Sequence, residues 1–368
     1  MAQGTVSITD LITPSVFTGY SMERTKELTD FISSGILQED GVLRDWMTSQ
    51  IGQGGGSYLL TRPTWNDLDS GETTALGLER SGSDAASPLY TAAAFPAPQK
   101  ITTHVEQATR VERNNHWSAS QMANSVSGTK NPDAISVIGS LVGGYWARRL
   151  QKMVLAIIAG VVADNAAVPG GSDTHTQNDL LVDVSGGGFV NGVTNFTPEA
   201  LYDALQTLGD ADNQITNLAV HSAVRNRMRK NNLIDIVRDS DGVYQFESFQ
   251  GLRLTVDDGI PRTGQVYENY LFGPGFLKYA TVAPENATTT VWRDEAGNGN
   301  GSKELWNRVA WSVHPMGHAF IGTTPATGGG PLNGDAATAN TFAHAGSWSR
   351  RAQSRKHIPF AVLRTREA

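Results

Sequence analysis

The stretch from Asn131 to Ala163 constrains the fold of this chain more than any other. Asn131 is a favourable N-cap, Pro132 suits the first helical position, and Asp133 complements the positive end of the helix dipole. Apolar residues then recur at Ile135, Ile138, Val142, Tyr145 or Trp146, Leu150, Met153, Ile157 and Val161. Spacings of three and four residues predict a helix with one apolar face. At 1.5 Å per residue, about 30 residues make a rod of roughly 45 Å. A rod that long needs other elements laid along it. Gly143-Gly144 in its middle weakens the helix and predicts a bend or a close backbone contact. The longest apolar run, Met153 to Ala163, falls far short of the roughly 20 residues of a bilayer span, so no membrane segment is expected.

The residues on either side fall into blocks. The first 50 mix polar and apolar residues, with a helical piece expected over Asp30, Phe31, Ile32, Ile36 and Leu37, and read as an extended arm. Gly54-Gly55-Gly56 supplies a joint. Ser57 to Val111 lacks helical periodicity. Ile101, Thr103, Val105 and Gln107 alternate with polar neighbours as a strand does, and this excursion carries too little apolar content for a core of its own. After the long helix come a short strand over Leu180–Val184 and an α/β segment. In that segment Thr197 caps a helix carrying Leu201, Leu205 and Leu208, and a strand covers 217–220. A second helix spans Ser222–Asn232, and strands follow near Leu233–Val237 and Leu252–Val256. Asp239-Ser240-Asp241-Gly242 is a turn signal. Leu305 to Ile321 reads as strand, Pro325 to Asn340 as loop, and Ile358 to Leu363 as a last strand. There is no internal repeat.

A chain of 368 residues exceeds one compact core and implies more than one domain. Its net charge of −7 argues against a basic nucleic-acid reader. With no Cys, disulfides, thiolate zinc sites and a cysteine nucleophile are excluded. The first basic residue is Arg24, so a charged secretory n-region is not expected. Charged residues make up 18%, below the usual quarter or so, which suits surface buried against other copies of the chain.

The candidate chemistry is thin. Of the eight His only His314 and His318 stand four apart, a helical metal spacing. Their neighbours Val309, Trp311, Val313 and Pro315 read as strand and turn, which favours a structural role. Ser222 follows His221 without a G-x-S-x-G elbow and reads as a helix N-cap, a serine hydrolase being the alternative. Asp294 to Ser302 places oxygen donors at alternate positions, as calcium loops do, but lacks EF-hand spacing and a closing Glu. An Asn-Gly hairpin turn is the stronger reading. Arg225, Arg227, Arg229 and Lys230 form a basic helix, read first as a solvated face and second as an interface with a neighbour's acidic loop. Arg350, Arg351, Arg355, Lys356 and His357 form a second basic group open to the same readings. No phosphate-binding loop is present. No catalytic, cofactor-binding or metal-ligating residue is assigned, and no cofactor is expected.

The order of elements, with several local stretches, resembles the major capsid proteins of tailed bacteriophages, which have the Hong Kong 97-type capsid fold. The stretches are Trp65-Asn66-Asp67-Leu68 with Gly71; Ser127-Gly128, Asn131-Pro132 and Tyr145-Trp146-Ala147-Arg148; Leu218 to Val224 through Asn232-Leu233-Ile234-Asp235; Val256 to Pro261; and Val313-His314-Pro315, Trp348 and Lys356-His357-Ile358-Pro359. The resemblance implies an α+β fold divided into an N-terminal arm (1–56), an extended β-loop (57–107), a peripheral domain with a spine helix (108–195, helix 131–163), an axial domain (196–304) and peripheral return strands (305–368). It implies a self-assembling, non-enzymatic subunit of hexamers and pentamers in an icosahedral head around packaged double-stranded DNA. The subunit would be assembled in the host bacterial cytoplasm and located in the virion. A separate scaffolding protein, a portal and a decoration protein are the implied partners. An encapsulin-like compartment is the alternative within the same fold. Lys100 is the only Lys of the loop region, so covalent cross-linking is not inferred. The arm, the loop and the Asp239–Gly242 turn are the expected contacts between copies.

Overall fold

The computed structural model describes residues 36–50, 58–66, 101–122, 134–171, 173–238, 244–284, 286–296, 299–322, 330–333 and 341–368. The first part of the expected arm, the Gly54–Gly56 joint, most of the extended loop, the Asn131–Asp133 cap and the Asp239–Gly242 turn lie outside them. In chain order come strand β1 (Leu37–Glu39), helix α1 (Gly41–Gln50), strands β2 (Leu59–Trp65), β3 (Thr103–Thr109) and β4 (Val111–Ser120), and the long helix α2 (Ala134–Ala166). Then follow β5 (Leu181–Asp183), α3 (Pro198–Gln206), a 3-10 turn (Gly209–Gln214), β6 (Asn217–Val220), α4 (Ser222–Lys230), β7 (Asp235–Arg238), β8 (Tyr244–Phe249), β9 (Leu252–Val256), β10 (Arg262–Thr263) and β11 (Val266–Phe272). The chain closes with β12 (Leu277–Val282), β13 (Thr288–Arg293), β14 (Ser302–Pro315), β15 (His318–Phe320), β16 (Trp348–Arg350) and β17 (Phe360–Arg366). No helix among the described residues is long and apolar enough to cross a membrane.

Helix α2 runs 33 residues, about 50 Å at the α-helical rise. Its first half has the expected single face: Trp146 is buried with Val142, Tyr145 and Leu150 packed against the same core, and Ile135 is buried in a smaller cluster with Ala119 and Leu305. From Met153 to Asn165 no residue is exposed, so this half is enclosed on all sides, and one apolar face is too little to describe it. Gly143 and Gly144 do not interrupt the helix. A Cβ at Gly143 would meet nothing within 4 Å, and one at Gly144 would meet only the Arg148 side chain. The close backbone approach occurs instead at Gly160, against Phe342 and Trp348.

Three sheets surround this rod. One has the order β1-β12-β14-β13, with β4 on the other side of β14; a second has the order β5-β17-β11-β6-β9-β8-β7, with β10 on β11; a third has β16-β15-β3-β2. The second sheet separates two cores by strand alternation. Ala219, Tyr270, Phe272, Phe360 and Val362 point into the core around α2. Leu218, Val220, Leu271, Ala361 and Leu363 point into a core under α3 and α4.

Three expectations about organisation are corrected. Residues 360–366 do not return to the sheet of β14. They pair antiparallel with β11 along its whole length and parallel with β5. Phe360, Ala361, Val362 and Leu363 are all buried, a continuous apolar run of the kind that fits the inside of a sheet covered on both faces. Residues 277–293 belong with β14, so the sheet boundary lies near residue 273 and not at 304. Residues 36–50 are docked: β1 pairs with β12 and a helix follows at 41–50, while of the helical piece expected over Asp30–Leu37 only Ile36 and Leu37 are described, Leu37 lying in β1. Asp40 caps that helix by accepting from Val42 N at 2.8 Å, and Leu43 and Met47, four apart, bury against Ala280 and Ala310. Helix α4 and strand β7 lie within two residues of their expected bounds, and Thr197 caps α3 by accepting from Ala200 N.

Candidate functional site

Each residue group singled out for chemistry is absorbed by local structure. His221, not Ser222, is the cap of α4: its Nδ1 accepts from Ala223 N at 3.1 Å. Ser222 Oγ lies 3.5 Å from that same Nδ1, and Asp258 Oδ1 lies 3.6 Å from it. A triad needs the serine and the carboxylate on opposite ring nitrogens, and both stand at one nitrogen already engaged by the backbone. Hence Ser222→Ala should change stability by less than about 0.5 kcal/mol. His221→Ala should cost about 1 kcal/mol through the lost cap. Urea unfolding of the unassembled subunit separates the two.

The basic helix is divided: Arg225 and Arg227 turn to carboxylates of this same chain, while Arg229 and Lys230 remain exposed. Arg225 chelates the buried Glu247 at 2.7 and 2.8 Å, Arg229 joins it there, and Arg227 reaches Glu367 while stacking over Phe189. Glu247 is held below its usual range by the Arg225 hydrogen bond above all. In the second basic group, Arg350 is buried against Asp179, Arg355 donates to the carbonyls of Asp179, Ile358 and Phe360, and Lys356 pairs with Asp210. Strands β13 and β14 pair antiparallel up to Arg293 opposite Ser302, so residues 294–301, of which 297 and 298 lie outside the described residues, link two hairpin strands. Neither set of partners was legible in sequence, because Glu247 and Glu367 lie 22 and 140 residues from the arginines they bind.

What remains is a surface. Strands β2 and β3 form a two-stranded ribbon, Leu59 opposite Thr109 through Trp65 opposite Thr103. One face of it is exposed and partly apolar: Trp65 is 68% exposed and Val105, opposite Pro63, is 40% exposed. The other face is anchored, by Leu60 and Ala108 against the Leu43, Met47, Ala280 and Ala310 cluster and by a polar group around Glu106. Glu106, buried on β3, contacts His314 on β14 at 3.1 Å, receives Gly317 N at 3.2 Å, and faces His104 at 3.5 Å. Burial opposes its charge, but the His314 and His104 contacts outweigh that and hold it at about 2. His318 donates Nδ1–H to the Met316 carbonyl at 2.9 Å. Burial pushes it down to about 4, leaving it neutral near pH 7. His314 and His318 are thus placed as buried structural residues of a turn. The helical register of a shared metal site is absent.

One group the sequence reading missed could hold a metal. Asp164, Asp173 and His175 place one ligand atom each within 4.8 Å of one another. Burial first, and the Asp173 carboxylate second, push Asp164 up to about 7. The only sequence signal was a carboxylate closing an apolar helical run, which fits no ligand spacing.

No family model matches the chain. It is 33% identical over 329 residues to the major capsid protein of Bacillus phage SPP1, a match that covers 86% of this chain and 89% of that one. Its fold is similar to the capsid of Ralstonia phage GP4, with a TM-score of 0.53 and 9% identity over 100% of this chain and 99% of that one. It is also similar to the capsid asymmetric unit of cyanophage Pam1, with a TM-score of 0.50 and 12% identity over 83% and 93%. A chain whose polar clusters serve its own packing, with an anchored ribbon that leaves an apolar face uncovered, and with a curated relative along most of its length, belongs to the family of tailed-phage major capsid proteins: shell-forming structural subunits of the Hong Kong 97-type α+β fold, not enzymes.

Proposed function

We propose that this subunit closes into an icosahedral head of hexamers and pentamers around double-stranded DNA, which it contacts without sequence preference. Assembly takes place in the host cytoplasm with a separate scaffolding protein and a portal, and a decoration protein is an optional addition. In this reading the sheet of β11 and β17 with α3 and α4 is the axial unit, α2 with the sheet of β14 is the peripheral unit, and the β2–β3 ribbon is the root of the extended loop. The observation that carries the reading is that ribbon. Its inner face is fixed to β14 through Glu106 and to the Leu43–Met47 cluster through Ala108, while Trp65 and Val105 stay uncovered, a pattern that suits a neighbouring copy laid across it. The chain's net negative charge fits packaged DNA, since a shell that neutralised many phosphates would bind its own cargo.

The test keeps the root and removes the rest. Residues 67–100 are replaced by a short Gly-containing turn joining Asn66 to Ile101, because Tyr58 already stacks under Arg110 and belongs to the subunit. The intact chain, expressed with its neighbouring genes, should give closed shells in negative-stain electron microscopy. The shortened chain should stay folded by circular dichroism and give none. Small soluble particles from the intact chain under every condition would sink the proposal, as would normal shells from the shortened one.

A further inference from the structure

We propose that Asp164, Asp173 and His175 form a binding site for a divalent first-row transition ion of the zinc or manganese class. The site joins the last turn of α2, the segment 173–175 and strand β16. His175 carries the argument. Its side chain is 1% exposed, and its Nε2 lies 3.1 Å from the Ala167 carbonyl. A carbonyl only accepts, so Nε2 donates to it, and Nδ1 faces the two carboxylates with either a second proton or a lone pair. Nδ1 is buried without a hydrogen bond, because Asp173 Oδ1, 2.8 Å away, approaches too obliquely to make one. Nδ1 among carboxylate oxygens favours a positive charge at that place, supplied by a proton in the imidazolium or by a metal ion bound in that proton's stead. Fixing one imidazole nitrogen on a backbone carbonyl is also how metal-binding histidines are oriented.

The carboxylates fit the same role. Asp164 is 6% exposed, and burial and neighbouring charges, with no hydrogen bond, are all that act on it. Asp173 Oδ1 is oriented by Arg350 N at 3.1 Å. The Arg350 guanidinium is engaged by Asp179 and the Ala352 carbonyl. A metal ion entering the site displaces any protons held by His175 and Asp164, leaving a neutral imidazole and two carboxylates whose charges a divalent cation offsets. One imidazole and two carboxylates suit zinc or manganese better than calcium, which takes six to eight oxygens. Ligand atoms about 2 Å from a common ion stand at most about 4 Å apart, so closure from the present spacing needs side-chain shifts of under about 1 Å.

The full chain, stripped with EDTA and dialysed, is titrated separately with ZnCl2 and MnCl2 by calorimetry, and its thermal midpoint is read with and without each ion. One site per chain and a raised midpoint are expected for at least one ion. Asp164→Asn and His175→Gln should each weaken binding by at least about tenfold and abolish the midpoint shift. Asp164→Asn keeps the shape and removes a buried charge, so it should fold at least as well as the parent without metal. No binding of either ion to the parent would overturn the site. Binding of equal strength to both variants would also overturn it, by placing the ion elsewhere.

Discussion

Gly160→Ala should destabilise the subunit by about 3 kcal/mol, the upper end of what an overpacked core usually costs. The added Cβ would overlap the Phe342 carbonyl oxygen and stand 2.5 Å from Trp348 Nε1. Those two atoms are already joined by a 2.7 Å hydrogen bond, so the methyl would fall on the bond itself. Neither side can retreat. Trp348 is 1% exposed and packed edge-on against Phe320, and α2 is enclosed all round from Met153 onward. The matched control is Gly143→Ala in the same helix, where a Cβ meets nothing. There the gain in helix propensity should stabilise by roughly 0.5–1 kcal/mol. Equilibrium urea unfolding of the unassembled subunits measures both. A Gly160→Ala subunit within about 1 kcal/mol of the parent would show that the helix and Trp348 are not locked together.

These two glycines show where the sequence was informative and where it was not. The three-four spacing of Ile135 through Val161 was enough to place α2, and Thr197-Pro198 was enough to start α3, because caps and periodicity are local. A glycine pair in mid-helix looked like the contact point, yet contact depends on what lies opposite. What lies opposite Gly160 is Trp348, almost 190 positions away. The same limit explains the basic helix: four cations in nine residues read as a surface, and only the fold brings Glu247 and Glu367 to three of them, Arg225, Arg227 and Arg229. It also explains β17, whose run Phe360–Leu363 was recognisable as a strand but whose partners, β11 and β5, were not. Asp164, Asp173 and His175 were unremarkable one by one, and only the meeting of the helix end with segment 173–175 makes them a group. Docking of residues 36–50 was missed for a related reason, since Leu43 and Met47 gain meaning only against Ala280 and Ala310.

Acid should weaken the subunit in two steps, both centred on the turn that anchors the ribbon. His318 is held at about 4 by burial against an ordinary 6.5, so between those values the unfolded chain binds a proton that the folded chain does not. Glu106 is held at about 2 against an ordinary 4.5, so between 4.5 and 2 the unfolded chain again binds the extra proton. Stability rises with pH wherever the unfolded state binds more protons, so both steps run the same way. Stability falls as pH drops from 6.5 toward 4 through His318, and falls again from 4.5 toward 2 through Glu106. At about 1.4 kcal/mol per pH unit, each step is worth on the order of 3 kcal/mol. Glu106→Gln should flatten the lower step and leave the upper one, and His318→Asn should do the reverse. Because Glu106 also holds His314 and Gly317 N, Glu106→Gln should be weaker than the parent at neutral pH as well, and Gln should recover part of what Ala loses there. Urea unfolding at half-unit intervals from pH 7 to pH 3 reads all of this. A Glu106→Gln profile parallel to that of the parent below pH 4.5 would remove Glu106 as the source of the lower step.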